Sequence, residues 1–224
     1  MQIKKIETIL KESAQRGWVL EPDAKKILSL AGITVPKSVV MKVPTDIAIV
    51  ERKLDYPLVA KIVSPQVIHK SDVKGVVLGI TSPEELKTVL QRFTKIKGFV
   101  GVIVEEMVKG IELIIGAKND YQFGPMILLG MGGTGVEIYR DSSLKMAPIG
   151  EADIDAMIEN LKAKKLLQGY RGADAINLVV LKKLLISFSR MTMKIDKYIE
   201  SIDLNPVMCN AKACVVADAR IMLS

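Results

Sequence analysis

The sequence predicts an α+β fold with two subdomains and largely antiparallel sheets. Segments that alternate like strands are interleaved with helical patterns, and several neighbouring strands are joined by turns too short for a parallel crossover. Hydrophobic residues make up 49% of the 224 residues and aromatic residues only 4%, so the core must be aliphatic. These observations favour α+β over a doubly wound parallel sheet.

Each element follows from local signals. A second helix begins near Pro22 and ends at Gly32, and Ser82-Pro83 followed by two glutamates is typical of a helix N-terminus. We predict helices at about 2–16, 22–31, 82–97, 151–160 and 175–195, with a short one after Pro44. Strands are predicted at 38–42, 57–63, 76–80, 100–106, 111–118, 125–129, 199–208 and 214–219.

A hinge is predicted at Met107–Gly110, between two strand-rich halves. It divides the chain into an N-terminal helix (1–20), a small subdomain (21–106) and a larger subdomain (107–224). The N-terminal segment is an amphipathic helix without the apolar core of a signal peptide, and no segment is long and apolar enough to cross a bilayer. We therefore expect a cytoplasmic protein with no membrane partner.

Composition narrows the class of partner. The net charge of +7 favours anionic ligands, but the lysines are scattered and aromatic residues are few, which argues against nucleic acid. Cys209 and Cys214 flank a predicted turn, and with one distant histidine they do not form a zinc site. We interpret them as buried free thiols of a reducing compartment.

His69 is the only histidine, in a loop that runs from Ser64 to Gly75 and continues with Lys70. Imidazole is nucleophilic near neutral pH, and lysine, hydroxyl and glycine neighbours suit phosphate. One histidine excludes zinc sites that need two. The simpler interpretation is a surface histidine without chemistry, so the other motifs must decide.

The segment Gly130–Gly135 spells the dinucleotide pattern GxGxxG. That motif requires a following helix whose amides hold the pyrophosphate, whereas residues 136–141 alternate like a strand. A Rossmann site is therefore disfavoured, and a phosphate-side loop and a tight structural turn both remain open. No GxxxxGK[ST] sequence occurs, which excludes an ordinary P-loop.

The C-terminal hairpin gathers oxygen ligands. Asp203 and Asn205 share one strand face, and a turn centred on Asn210-Ala211 puts Asp203 opposite Asp218, whereas a slip of two residues puts Asn205 there. Opposed carboxylates repel unless a cation lies between them, and oxygen ligands suit Mg²⁺. The alternative is that Asn205-Pro206 only marks a turn or bulge. The apolar flanks favour metal.

Two further patterns suit a nucleotide. A strand ending in Glu105-Glu106, the connector, and a strand opening on Glu112 could bind adenine and ribose. Lys61 is central in an otherwise apolar strand, so its ammonium needs an anion. A triphosphate or an ordinary carboxylate would serve.

In this order the features resemble an ATP-grasp domain, and more narrowly the β subunit of ADP-forming acyl-CoA (acetyl-CoA) synthetases. The likeness extends over essentially the whole chain. Lys74 departs from the pattern, which has a second glycine before Gly75, and Asp203 stands where succinyl-CoA-ligase-like relatives tend to carry glutamate. The similar segments are 31–36, 56–61, 64–72, 123–125, 130–133, 169–172 and 203–206.

The resemblance implies that two α+β subdomains clamp ATP, with adenine at the hinge. Lys61 would then contact phosphate, Glu105 the adenine amino group and Glu112 the ribose. The other implied nucleotide-site residues are Lys70, Gly75, Met107 and Val108. Mg²⁺ would be held by Asn205 and Asp218, with Asp203 nearby.

The resemblance also implies a reaction and a partner. His69 would be phosphorylated transiently and relay phosphate between ADP and a phosphohistidine on an α subunit that binds CoA, in an assembly expected to be α2β2. Two alternatives remain. One is an ATP-grasp carboxylate ligase without a phosphohistidine, and the other is a non-catalytic nucleotide-binding regulatory subunit.

Overall fold

The computed structural model describes residues 1–133, 141–172 and 174–224. Its helices are α1 (Ile3–Ser13), α2 (Glu21–Leu30), α3 (Ile47–Lys53), α4 (Pro83–Phe93), α5 (Glu151–Glu159) and α6 (Leu178–Ile195). Its strands are β1 (Trp18–Val19), β2 (Ser38–Met41), β3 (Leu58–Val63), β4 (Val76–Ile80), β5 (Gly101–Glu106), β6 (Ile111–Asp120), β7 (Gly124–Met131), β8 (Ser142–Met146), β9 (Ile199–Cys209), β10 (Cys214–Val216) and β11 (Ala219–Leu223).

The described residues form two units. The larger unit contains Met1–Val35 and Lys109–Ser224, and the smaller unit contains Pro36–Val108. The second boundary falls inside the predicted hinge connector, between Val108 and Lys109. The first differs from the predicted division at residues 20 and 21, because α1, α2 and β1 belong with the C-terminal part of the chain.

The larger unit is an antiparallel sheet with an aliphatic core. The strand order is β1-β11-β9-β6-β7-β8, and β10 also pairs with β9. The helix α6 has a buried face that includes Leu181, Leu185 and Phe188, whose spacing of three and four residues places them on one side of the helix. Ile202 and Leu204 alternate along β9 into the same core, so the opposite face of β9 is left to Asp203.

The smaller unit is a four-stranded antiparallel sheet in the order β2-β5-β3-β4. Its core includes alternate residues of β3 together with residues of α3 and α4 such as Val50 and Phe93. All six residues of β3 are buried, which explains why its sequence is continuously apolar apart from Lys61. The predicted N-cap is confirmed, because Ser82 Oγ accepts from Glu85 N at 3.3 Å and Thr81 N donates to Glu85 Oε2 at 2.7 Å.

Three strand features were missed by the sequence analysis. The strand β1 has only two residues, too few to show alternation, and β8 is a polar edge strand that exposes Leu144. The predicted strand at 214–219 is two strands, β10 and β11, separated by Ala217 and Asp218. None of the helices in the described ranges is long and apolar enough to span a membrane.

Candidate functional site

Lys61 and Glu105 form a buried ion pair in the smaller unit. Lys61 Nζ lies 3.0 Å from Glu105 Oε2, and the two side chains are 7% and 2% exposed. In the β3–β5 register Val59 pairs with Glu105, so Lys61 is its diagonal neighbour on the same sheet face. Of the two anions that the sequence left open for Lys61, the structure supplies a carboxylate.

His69 is exposed at the start of a short 3-10 helix, Lys70–Val73. The loop around it is fixed at both ends. Ser64 Oγ donates to Lys97 O at 2.9 Å, Gly75 N donates to Lys70 O at 2.7 Å and Ile62 N donates to Gly75 O at 2.8 Å. A Cβ on Gly75 would collide with the Ile62 side chain, so only glycine fits there.

Lys74 occupies a left-handed backbone position, with φ of +50°. Glycine adopts this conformation without steric cost, whereas a Cβ atom is crowded there. The backbone carbonyl of Lys74 accepts from Arg92 Nη2 at 2.9 Å, which ties the position to α4. Lys74, which stands where the family pattern has glycine, therefore has a locally strained backbone next to Gly75.

Replacing Lys74 by glycine is expected to stabilise the smaller unit by about 0.5–1 kcal/mol, because it relieves this strain. Replacing Lys74 by alanine removes the same charge and stem but keeps the Cβ, so we expect little change. Urea unfolding of both variants measures the difference. Equal effects of glycine and alanine would show that the side chain, not the backbone, sets the stability here.

The acidic pair at the end of β5 divides between the two faces of the sheet. Glu105 pairs with Lys61, whereas Glu106 Oε1 accepts from Lys37 Nζ at 3.0 Å. Met107 continues the chain with its N–H donating to Pro57 O at 3.4 Å, and Met107 and Val108 are both half-buried. The pair is thus not a solvated acidic patch.

Glu112 lies at the start of β6 in the larger unit and is exposed. Gly132, which follows β7, donates its N–H to Glu112 O at 2.7 Å. A Cβ on Gly132 would lie 2.8 Å from backbone and side-chain atoms of Glu112, so glycine is required by this close approach. The described part of the glycine segment therefore packs on Glu112, while Thr134 and Gly135 lie outside the described residues.

The hairpin has the second of the two predicted registers. Val216 pairs with Val207 and Ala219 with Leu204, which sets Asp218 opposite Asn205. The predicted alternative, Asp203 opposite Asp218, is wrong. Its turn was placed too early, since the turn spans residues 210–213.

Asp203 instead faces Arg220. The two residues are direct cross-strand partners, and Arg220 Nη2 lies 3.0 Å from Asp203 Oδ2. This arginine was missed because it lies beyond the predicted end of the strand at residue 219. Its place two residues after Asp218, on the same strand face, was the signal that could have found it.

A bulge at Asn205-Pro206 interrupts β9. Along the β6–β9 ladder Leu113 pairs with Val207 and Ile115 with Leu204, so two residues of β9 face one residue of β6. The bulge that was the alternative to a metal site is therefore present. Asn205 and Asp218 nevertheless lie opposite each other, so the bulge and the pair of oxygen ligands occur together.

The oxygen donors of this hairpin suit a hard cation. Asn205 is exposed and Asp218 is half-buried, with its Oδ1 accepting from Ala219 N at 2.8 Å. An amide and a carboxylate oxygen, completed by phosphates and water, are a typical Mg²⁺ environment. Within the described ranges no three His, Cys, Asp or Glu side chains cluster as a metal site. The third predicted ligand, Asp203, is engaged by Arg220.

The model of the ATP-grasp domain family matches residues 10–223. The chain belongs to the ATP-grasp family. It is 36% identical to the acetate–CoA ligase [ADP-forming] I subunit β of Pyrococcus furiosus, over 97% of each chain. It is 38% identical, over 93% of its own length, to the 4-hydroxybutyrate–CoA ligase [ADP-forming] of Nitrosopumilus maritimus, but spans only 31% of that protein.

Solved structures agree with this assignment. The dinucleotide-forming acetyl-coenzyme A synthetase 1 of Ca. Korarchaeum cryptofilum is 37% identical with a TM-score of 0.91, covering 97% of this chain and 99% of that one. A structure of the same protein with coenzyme A and Mg-AMPPCP, its phosphohistidine segment pointing towards the nucleotide binding site, gives a TM-score of 0.85 at 35% identity over 98% and 100% of the two chains. The predicted antiparallel α+β ATP-grasp fold and the predicted family are confirmed.

Proposed function

We propose that this chain is the nucleotide-binding β subunit of an ADP-forming acyl-CoA synthetase. The enzyme interconverts acyl-CoA, ADP and phosphate with the free acid, CoA and ATP. The observation that carries the proposal is an exposed, single histidine on a loop fixed at both ends, in a chain that matches a subunit β of an acetate–CoA ligase over 97% of both lengths.

His69 is proposed to carry the phosphoryl group. The loop between Ser64 and Gly75 is held at its two ends, and His69 and Lys70 lie on the segment between them. A change in the conformation of this segment would break few contacts of the hydrophobic core. A phosphohistidine divides one transfer into two shorter ones. Lys70 and Lys61 supply positive charge, which phosphoryl transfer needs more than covalent chemistry.

The other site residues are proposed to position the nucleotide. Glu112 is proposed to accept from ribose hydroxyls, and the hydrogen bond from Gly132 N to Glu112 O supports this by holding its backbone. Met107 and Val108 offer backbone and packing to adenine. Glu105 would accept from the adenine amino group in addition to holding Lys61, and Gly75 keeps the phosphate-side loop closed against β3.

We propose that Asn205 and Asp218 hold Mg²⁺ together with nucleotide phosphates. When bound, the ion neutralises charge on the phosphate oxygens. The two residues keep their oxygens on one strand face through the register that sets them opposite each other. Asp203 lies on the same face but is held by Arg220, so we place it beside the ion rather than among its ligands.

The partner is proposed to be an α subunit that carries the CoA site and the first phosphohistidine, in an α2β2 enzyme of the cytoplasm. The match to a subunit named β supports a separate partner chain. In the longer 4-hydroxybutyrate–CoA ligase the corresponding region is 31% of one polypeptide. The same domain therefore occurs both as a subunit and within a larger chain.

Labelling of the whole complex tests the proposal. After incubation with Mg²⁺ and ATP radiolabelled in the γ-phosphate, the β chain is expected to carry an acid-labile label. His69→Ala should lose that label and reduce turnover by on the order of 10³-fold or more, because no other side chain of the chain is an imidazole.

Gln66→Ala is the matched control, since Gln66 is exposed on the same loop and should keep both label and turnover. Persistence of the label in His69→Ala would reject the phosphohistidine. Loss of the label with turnover intact would instead indicate an ATP-grasp ligase in which the bound carboxylate attacks ATP directly.

A further inference from the structure

The two cysteines of the chain face each other at the end of the β9–β10 hairpin. Cys209 and Cys214 are direct cross-strand partners. Both thiols are free and buried, and the sequence contains no other cysteine. The fold therefore holds a dithiol together without a covalent bond, in the same hairpin as Asn205 and Asp218 and four residues from each.

The turn determines how closely the two cysteines approach. Asn210 N donates to Ala213 O at 2.9 Å, so Asn210 and Ala213 are the hydrogen-bonded pair that closes the turn. Pairs alternate along an antiparallel ladder, which makes Cys209 and Cys214 a non-hydrogen-bonded pair. The Cα atoms of such pairs are about 4.5 Å apart, inside the range of about 4.4–6.8 Å found in disulfides.

The turn is also rigid. Asn210 Oδ1 accepts from Lys212 N at 2.9 Å and from Ala213 N at 3.0 Å, so its side chain fixes the two strand ends. A disulfide between Cys209 and Cys214 then requires rotation of side chains and no rearrangement of the hairpin.

A hydrogen bond between the thiols makes them chemically different. It lowers the pKa of the Cys214 thiol, against the opposing effect of burial. The same hydrogen bond, together with burial, raises the pKa of the Cys209 thiol. Cys214 is therefore the thiol that ionises first, with the Cys209 S–H donating to it, and the thiolate is the nucleophilic form.

We propose that Cys209 and Cys214 are an oxidisable dithiol that hydrogen peroxide converts into an intramolecular disulfide. The Cys214 thiolate attacks one peroxide oxygen, the O–O bond breaks, and hydroxide leaves, which gives a sulfenic acid on Cys214. The Cys209 sulfur then attacks the Cys214 sulfur, and the sulfenic oxygen leaves as water with the Cys209 proton. In total, two thiols and one peroxide give one disulfide and two waters.

A cavity beside the turn reaches Cys209, the cross-strand partner of Cys214. Its volume is about 570 Å³, and Cys209, Asn210, Ile111 and Asp174 are among the residues that line it. The hairpin end is bound to the segment before β6, since Asn210 Nδ2 donates to Lys109 O at 3.0 Å. The dithiol therefore lies beside the segment that leads into Glu112.

Intact-mass measurement of the folded, reduced wild-type chain after treatment with hydrogen peroxide tests the proposal. We expect loss of two hydrogen masses, disappearance of both titratable thiols, and one linked peptide that contains Cys209 and Cys214. Reduction should restore the starting mass. A mass increase from added oxygen without a linked peptide, or two thiols still free after unfolding, would overturn it.

One single variant and an alkylation of the wild-type chain test the order of attack. With a sulfenic-acid trap present, Cys209→Ala should accumulate the trapped adduct on Cys214, because the resolving thiol is missing. In the reduced wild-type chain, where the hydrogen bond between the thiols is intact, limited alkylation with iodoacetamide should modify Cys214 before Cys209. Equal alkylation of the two cysteines in the wild-type chain would overturn the assignment of Cys214 as the attacking thiol. The wild-type measurements do not depend on the folding of the variant, and no part of the test depends on nucleotide turnover.

Discussion

Replacing Lys61 by methionine is expected to destabilise the smaller unit by about 3–5 kcal/mol, because it removes the ammonium 3.0 Å from the buried Glu105 carboxylate. Methionine matches the length of the lysine stem, so packing is largely preserved. Hydrogen exchange of the β3 and β5 amides reports the free energy of opening for this unit alone. The same variant is expected to bind ADP at least about tenfold more weakly if the ammonium also contacts phosphate.

The double variant Lys61→Met/Glu105→Gln separates the two roles. Removing both charges also takes away the charge of the buried carboxylate, so most of the lost stability should return. Affinity for ADP, measured by calorimetry, should stay low, because the phosphate contact is still missing while glutamine keeps an acceptor oxygen for the adenine amino group. A double variant that recovers both stability and ADP affinity would show that Lys61 serves only the fold, as the partner of Glu105.

Lys61 shows which part of the site could be predicted from the sequence and which part could not. A lysine within an apolar strand requires an anion, and this follows from solvation alone. The identity of that anion depends on the β3–β5 register, which joins residues about forty positions apart along the chain and places Glu105 diagonally opposite. The requirement is local and could be predicted, whereas the partner is non-local and could not.

The hairpin shows the same limit at shorter range. Its strands could be recognised from their alternating residues, but a two-residue slip in their pairing leaves that alternation unchanged. Asn210 determines the turn through backbone and side-chain hydrogen bonds, and this decides whether Asp218 meets Asp203 or Asn205. Arg220 could be assigned to the site only once the register was known.

The N-terminal boundary has a different cause. The segment up to residue 35 has helices with clear amphipathic patterns, but nothing local shows where they pack. Its place in the larger unit depends on β1, whose Trp18 and Val19 pair with Met222 and Ile221 at the opposite end of the chain. A strand of two residues is too short to show an alternating pattern, so β1 could not be predicted. The N-terminal helix was therefore predicted as separate from the larger unit, to which it belongs.

Asp218→Asn is expected to raise the Mg²⁺ concentration needed for half-maximal ADP binding by about tenfold or more, because it removes the carboxylate that we assign to the ion. A magnesium titration of the thermal stabilisation by ADP measures this directly and needs no partner subunit. Asn205→Ala should shift the titration in the same direction, since the two residues face each other across the strand pair.

Asp203→Asn is the matched control for Asp218→Asn, because it makes the same change in charge on the same strand face. Its carboxylate lies 3.0 Å from the Arg220 guanidinium, so we expect the magnesium titration to move by less than about threefold. An equal shift of the magnesium titration in Asp203→Asn would show that Asp203 is also a ligand of the ion. The ion would then displace Arg220 from the Asp203 carboxylate. The unequal response that we expect would instead divide the hairpin into an ion-binding pair and an arginine-bound carboxylate two residues away.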